Sequence, residues 1–137
     1  MGLRRRSREV ALQVLFQSEF EKSLSSQQAL AHYLENFDTP PEVVEFAEKL
    51  VQGVLEKREE IDGIIQSHSR SWKVNRMAFV DKNILRLAVY EMKFLSEHVP
   101  WTVAIDEAIE IGKRFGGQES SAFINGILDN ISKDLHQ

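Results

Sequence analysis

Residues 78–95 read AFVDKNILRLAVYEMKFL, and this stretch decides the fold class. Its apolar residues recur at helical spacing and cover most of the circumference of a helix, whereas a half-buried strand would alternate strictly. A helix that is apolar on nearly every side has to be covered by other elements on nearly every side. We therefore predict that residues 78–95 form the central helix of a bundle.

The segments around this central helix also have helical periodicity, and start and stop signals separate them. Ser25 and Gln28 have the spacing of a capping box, which marks the start of a second helix. Gly116-Gly117 follows an apolar helical stripe and is a typical C-cap. Besides the central helix, we predict helices at about residues 7–20, 26–37, 40–55, 61–65, 105–115 and 121–135.

The dipeptide Asn125-Gly126 poses a choice, because Asn-Gly is the strongest short signal for a β-hairpin. Ile124, Ile127 and Leu128, however, recur at helical spacing around it. We predict a last helix here, in which Gly126 lets a neighbouring helix approach closely. Such a glycine costs about 1 kcal/mol relative to alanine.

Residues 67–76 break the helical pattern and are typical of a linker. We therefore predict an all-α fold of about seven helices in two small connected bundles. The whole chain, residues 1–137, is expected to form one domain. Its N-terminal sub-bundle covers about residues 7–66, and its C-terminal sub-bundle covers about residues 77–135.

Composition excludes several classes of protein. The chain has 137 residues, of which 42% are hydrophobic and 28% charged, a balance typical of one globular domain. It contains no cysteine, so disulfides and thiolate chemistry are excluded. The longest apolar runs are about four residues, far short of the roughly 20 that span a bilayer. We predict a soluble cytosolic protein without a membrane segment.

The motifs of common enzymes are also missing. The sequence has no Walker A loop, no dinucleotide-binding glycine pattern, and no Glu-x-x-His pair for a bundled metal site. Asp106, Glu107 and Glu110 could do acid–base chemistry. We favour the simpler interpretation that these acidic residues stabilise the positive end of a helix. We predict no catalytic residues, no metal site and no cofactor.

Charge is distributed unevenly along the chain. Residues 3–8 contain four arginines and no acid, whereas residues 35–62 contain nine acidic and three basic residues. Guanidinium groups suit phosphate oxygens, and arginine-rich segments often become ordered on binding RNA. We expect Arg4, Arg5, Arg6 and Arg8 to lie in a frayed segment before the first helix. The alternative is a solvated terminus without a partner.

Two further places could contact nucleic acid. Residues 117–123 precede a helix, so their N–H groups could bind phosphate, and Phe123 could stack on an unpaired base. Equally, Phe123 could belong to the core. Arg86 lies in the middle of the central apolar helix, where it could bind RNA or pair with Glu91 or Asp129.

Four motifs together carry a resemblance to a known family. They are RRRSREVALQ at residues 4–13, VDKNILRLAVYE at 80–91, VPWTVAIDEA at 99–108 with KRFG at 113–116, and FINGILD at 123–129. In this order they cover nearly the whole chain. The sequence resembles the NusB family of bacterial transcription antitermination factors.

The resemblance implies a NusB-like all-helical fold of two connected bundles. It also implies binding of the single-stranded boxA element of nascent RNA, as a heterodimer with NusE, a ribosomal protein of the small subunit. Such a pair joins other Nus factors on RNA polymerase and suppresses premature termination, chiefly in ribosomal RNA operons. Some relatives form a homodimer through the surface that otherwise binds partners.

The resemblance also assigns roles to individual residues. Phe16 on the first helix and Asp81 in the central helix match positions that face NusE. His68 lies where a relative has a tyrosine near the RNA, and Glu119 lies where some relatives have aspartate. The positions that match the RNA contacts of the family are Arg4, Arg5, Arg6, Arg8, His68, Arg86, Glu119, Ser120 and Phe123.

Two alternatives of other classes stay open. The same helical domain forms the N-terminal part of certain ribosomal RNA cytosine methyltransferases, so the chain could be a detached RNA-targeting domain. It could also be a purely structural homodimer. Since its net charge is −4, we expect the free protein to bind RNA weakly and a basic partner to strengthen binding.

Overall fold

A computed structural model describes residues 2–136 except Lys22 and Leu24, and describes only the backbone of Ser26. All regular secondary structure in this part of the chain is helical, which confirms the all-α prediction. The elements are α1 (Leu3–Phe20), α2 (Ser26–Asn36), α3 (Pro41–Glu56), α4 (Arg58–Ser67), a short 3-10 turn (Val74–Arg76), α5 (Phe79–Phe94), α6 (Trp101–Phe115) and α7 (Ser120–Leu135).

The helices form two compact units, the first ending at Glu56 and the second beginning at Lys57. The fourth helix therefore belongs to the second unit, because α4 packs against α5 and α7. The sequence pattern had instead placed α4 with the preceding helices, in a sub-bundle of about residues 7–66, and the division at residues 67–76. The apolar spacing of α4 reveals that one of its faces is buried, but not which helices bury it.

The first unit consists of α1, α2 and α3, with α1 packed on both of the others. Its buried side chains come at spacings of three and four residues, as expected of amphipathic helices. They include Val10, Ala11, Val14 and Leu15 of α1, Leu30 of α2, and Val43, Ala47, Leu50 and Val54 of α3. The predicted capping box of α2 is present, with Gln28 N–H donating to Ser25 Oγ over 3.1 Å.

The start of α1 differs from the prediction. The helix begins at Leu3 rather than Ser7, so the four arginines lie in its first two turns and not in a frayed segment. Ser7 Oγ donates hydrogen bonds to Val43 O over 3.0 Å and to Leu3 O over 3.1 Å. Arg6 Nη2 donates to Asp38 O over 3.0 Å. These contacts with the residues around the start of α3 hold the end of α1 in helical form.

The second unit is built around α5, as predicted. This helix packs against α4, α6 and α7. Most of its length is buried, including two apolar positions, Leu85 and Val89, that are completely inaccessible to solvent. The central position of α5 in its unit is thus a consequence of its nearly continuous apolar surface.

Arg86 is one of three charged residues that this burial has to accommodate, together with Lys82 and Glu91. Only 5% of Arg86 is exposed, and its Nε and Nη2 donate to the two carboxylate oxygens of Asp62 over 2.8 Å each. Its Nη1 donates to Asn83 Oδ1 over 3.1 Å. Asp62 lies on α4, so this paired contact joins α4 to α5; Asp62 was not among the partners, Glu91 and Asp129, that the sequence suggested.

The close approach of α6 and α7 occurs at Gly112, not at Gly126. A methyl group at Gly112 would lie 3.0 Å from Ile124 Cδ1, whereas one at Gly126 would meet nothing within 4 Å. Gly126 is an exposed residue within α7, so the prediction of its packing role was wrong. The helical assignment of Asn125-Gly126, in contrast, is confirmed.

We expect Asp62→Ala to lower the free energy of unfolding by about 2–3 kcal/mol, because it removes the carboxylate that accepts two N–H groups of the buried Arg86 guanidinium. Denaturant titration measures this change. Glu60→Ala is the matched control, since it breaks the exposed ion pair with Lys93 between the same two helices. Exposed pairs contribute little, so an equal loss in both variants would contradict the assignment.

Candidate nucleic-acid interface

An open groove of about 580 Å³ lies in the second unit, between the segment that leads into α5 and the connection from α6 to α7. Its volume is within the range typical of ligand sites. The lining residues are Trp72, Arg76, Met77, Ala78, Val80, Asp81, Phe115, Gly116, Gly117, Gln118, Glu119, Ser120 and Phe123.

Three aromatic rings are the most prominent feature of this groove. Trp72 is 54% exposed and Phe115 is 44% exposed, although large aromatic side chains are normally well buried. Phe123 is half-buried in the same groove. Its exposure is therefore intermediate between the two alternatives named for it, a fully exposed stacking ring and a core residue. Exposed rings gathered around a groove can stack on planar, unpaired bases.

The segment that carries Trp72 is ordered by Gln66 and Ser69. Gln66 Nε2 and Ser69 Oγ both donate to Trp72 O, over 3.1 and 2.7 Å. Val74 N–H donates to Gln66 Oε1 over 2.9 Å. The predicted linker is therefore a fixed loop that presents Trp72 and Arg76. Neither residue was among the predicted site residues. A tryptophan within the polar segment 67–76 is the sequence signal that could have indicated them.

The opposite wall depends on Gly116 and Ser120. Gly117 N–H donates to Ser120 Oγ over 2.8 Å, and Ser120 N–H donates to Gly117 O over 3.2 Å. A methyl group at Gly116 would lie only 2.5 Å from Ser120 Cβ. Ser120 is 5% exposed, so its hydroxyl closes the tight connection before α7 and supports the groove from within.

The charged residues of the groove have mixed signs. Arg76 is basic, whereas Asp81 in the first turn of α5 and Glu119 before α7 are acidic. The resemblance assigned Asp81 to the protein partner and Glu119 to RNA, yet both line one groove with Phe123. The acidic majority disfavours phosphate within the groove and favours groups that donate hydrogen bonds.

The arginines of α1 differ in accessibility. Arg4 is exposed, Arg5 and Arg6 are partly exposed, and Arg8 is only 4% exposed. The Arg4 guanidinium carbon lies 4.2 Å from the centre of the Phe46 ring, and that of Arg8 lies 5.9 Å from it. Arg4, Arg5 and Arg6 therefore form the accessible basic surface of the first unit, and Arg8 lies beneath it.

Phe16, the other residue assigned to a protein partner, is partly exposed on α1. Its ring packs edge-to-face on Phe20, with 5.0 Å between the ring centres. Phe20 is itself exposed. This pair gives the C-terminal half of α1 an apolar surface in the first unit.

Two of the predicted RNA contacts, Arg86 and His68, make hydrogen bonds within the second unit. Arg86 is buried with its guanidinium on Asp62, so its prediction as an RNA contact is not supported by its position. His68 ends α4 and joins it to α7, because its two ring nitrogens contact Ile64 O and the Asp134 carboxylate. Neither residue lines the groove.

The environment of His68 raises its pKa. Burial by itself lowers the pKa, but the hydrogen bonds to Ile64 O and Asp134, with the negative charge of Asp134, outweigh burial. The pKa of His68 therefore lies above its ordinary value of 6.5. Protonated imidazole can donate from both nitrogens at once, which is what these two acceptors require.

Within the described residues, no three histidine, aspartate or glutamate side chains are placed to hold a metal ion. No helix in the same part of the chain has the length and apolar character that crossing a membrane requires.

Comparison with known proteins gives consistent results. The model of the NusB family matches residues 5–133. The transcription antitermination protein NusB of Bdellovibrio bacteriovorus is 48% identical over 130 residues, covering 95% of each chain. That of Bacillus subtilis is 44% identical over 134 residues, covering 98% of each chain.

Solved structures agree with the sequence relatives. NusB of T. maritima superimposes with a TM-score of 0.88 at 40% identity, covering 96% of this chain and 91% of that one. A second match is to a chain in the crystal structure of antitermination factors NusB and NusE in complex with double-stranded RNA. That match has a TM-score of 0.83 at 26% identity, covering 96% and 97% of the two chains.

We expect Gly116→Ala to lower the free energy of unfolding by about 1–3 kcal/mol, because the added methyl group overlaps Ser120. Gly117→Ala is the matched control, since its methyl group would lie 3.9 Å from Ser120 Oγ. Thermal or denaturant unfolding of both variants measures the difference. Equal stability of the two variants would contradict the described connection.

We expect His68 to make stability depend on pH. Because its folded pKa is raised, its contribution is complete below pH 6.5 and disappears as pH rises through the folded value. The melting temperature of the wild type should therefore fall as pH rises from 6.5 through the folded pKa of His68, and this fall should be smaller in Asp134→Asn. His32→Gln, an exposed histidine of the first unit, serves as the control. A pH dependence unchanged by Asp134→Asn would refute the role of this pair.

Proposed function

The chain belongs to the NusB family, and we propose that it binds the single-stranded boxA element of nascent ribosomal RNA together with NusE. It acts in transcription antitermination in the bacterial cytoplasm, where it helps RNA polymerase read through terminators with other Nus factors. No catalytic step is part of this proposal. Both units contribute to one RNA-binding function.

The aromatic groove of the second unit is the observation that carries the proposal. Sequence-specific RNA recognition mostly targets unpaired bases, which stack on aromatic rings and expose their edges to hydrogen bonding. Trp72, Phe115 and Phe123 supply the rings. A base-paired helix keeps its bases stacked on one another, so this groove suits single-stranded RNA.

The acidic side chains of the groove fit bases better than phosphates. Glu119 can accept hydrogen bonds from the exocyclic amino groups of cytosine, adenine or guanine. Uracil has no such amino group. Glu119 therefore supports discrimination among bases, which explains how a carboxylate can be useful at an RNA site.

Attraction to the RNA backbone is assigned to Arg4, Arg5 and Arg6 of the first unit. Arginine binds phosphate through paired N–H donors, and each neutralised phosphate makes binding more sensitive to salt. These side chains are the accessible ones among the arginines at the start of α1. In this proposal Arg8, Ser120, Arg86 and His68 stabilise the binding surfaces and do not contact the RNA directly.

NusE is proposed to add what this chain lacks. With a net charge of −4 the chain has little general affinity for RNA, so a basic ribosomal protein would strengthen binding. Phe16 and the exposed Phe20 provide an apolar surface for such a partner. Asp81 provides a carboxylate that can pair with one of its cationic side chains.

The proposal is tested by fluorescence anisotropy with labelled boxA RNA, titrated with this protein alone and with NusE at two salt concentrations. A scrambled strand and a boxA duplex are the RNA controls. We expect boxA to bind most tightly, and more tightly when NusE is present. Equal affinity for all three RNAs, with or without NusE, would contradict the proposal and favour a homodimer or a detached targeting domain.

Variants locate the site in the same experiment. Phe123→Ala and Trp72→Ala should each weaken boxA binding about 5- to 100-fold, since each removes a stacking ring. Trp101→Ala is the matched control, because this tryptophan is exposed in the same unit but outside the groove. Arg5→Ala should weaken binding and reduce the salt slope by about 0.7. Equal effects of Trp72→Ala and Trp101→Ala would exclude the groove.

A further inference from the structure

Phe46 on α3 lies against two cationic side chains of α1. Its ring centre is 4.2 Å from the Arg4 guanidinium carbon and 5.9 Å from that of Arg8. Both distances are within the range of an attractive cation–π contact, which arginine makes more often than lysine. One aromatic ring therefore contacts an exposed arginine and a buried arginine that are one helical turn apart.

The position of Arg4 needs such a contact. Positive charge is unfavourable near the N-terminus of a helix, where the helix dipole is itself positive. An exposed arginine there would otherwise sample many rotamers, and binding to RNA would have to restrict them. The ring attracts the guanidinium without using its N–H groups, so these donors remain available for a phosphate.

The backbone beneath Arg4 is held by separate contacts. Ser7 Oγ donates to Val43 O, and Arg6 Nη2 donates to Asp38 O. These hydrogen bonds tie the first turns of α1 to the segment around the start of α3, and Phe46 lies one turn further along α3. The helix end is thus fixed without Phe46, which leaves the ring to orient the Arg4 side chain.

We propose that Phe46 is a positioning residue for RNA binding, which holds the Arg4 guanidinium ready for a backbone phosphate. This inference rests on the proposed RNA-binding function. The ligand group is a phosphate of single-stranded RNA, contacted by Arg4 and not by Phe46. The ring acts through Arg4, so its effect on affinity depends on whether Arg4 is present.

A double-mutant cycle tests this dependence, using boxA RNA with the complex of this protein and NusE. The variants are Arg4→Ala, Phe46→Leu and the two combined. We expect Phe46→Leu to weaken binding about three- to tenfold, the effect of having to order one flexible side chain. In the Arg4→Ala background, Phe46→Leu should have no further effect.

Two further variants separate positioning from a general structural role. Phe46→Tyr keeps the ring face and should restore wild-type affinity. Phe94→Leu is the matched control, because the Phe94 ring in the second unit contacts Lys57 and Lys93 at 5.4 and 5.7 Å. It should leave RNA affinity unchanged. Melting temperatures of all variants show whether a loss of affinity follows a loss of stability.

The possible outcomes distinguish this inference from the proposed function. If the wild-type complex does not prefer boxA, the proposed function fails. If it prefers boxA and Arg4→Ala weakens binding, while Phe46→Leu has no effect, the role of Phe46 is refuted. Additive losses in the double variant, or a failure of Phe46→Tyr to restore affinity, would refute it as well.

Discussion

Burial of α5 on nearly every side is the constraint from which most of the second unit follows. Because α5 carries Arg86 within its buried length, this charge has to be paired inside the unit, and Asp62 on α4 accepts two of its N–H groups. The chain then has to return from the end of α4 to the start of α5. Trp72 and Arg76 lie on this connecting segment and line the groove. The packing of α5 therefore also determines where these two residues reach the surface.

The proposed function draws on different chemistry in each of the two units. The second unit has exposed rings and carboxylates, which suit bases, whereas the first unit has exposed guanidinium groups, which suit phosphates. Packing supports both surfaces from behind. The close connection at Gly116 and Ser120 shapes one, and the Phe46 ring lies behind the other. For the proposed function, such residues would influence binding without touching the RNA.

Most helices could be predicted because their signals are local. The apolar surface of residues 78–95 and the pairing of Ser25 with Gln28 both act within a few turns of helix. The misjudged features depend on distant residues. Local rules predict fraying for arginines at the start of α1, yet hydrogen bonds to Val43 O and Asp38 O hold that end in place. Likewise, only tertiary packing distinguishes Gly112, which meets Ile124, from Gly126, which meets nothing.

The acidic lining of the groove has a consequence for selectivity in a cell crowded with RNA. Non-specific binding to nucleic acid is almost entirely electrostatic, so it falls steeply as ionic strength rises. Stacking in a groove that holds Asp81 and Glu119 gains nothing from counterion release. For the proposed function, the ratio of specific to non-specific affinity therefore grows with ionic strength. On that proposal, a protein of net charge −4 would discriminate in this way against bulk ribosomal and transfer RNA.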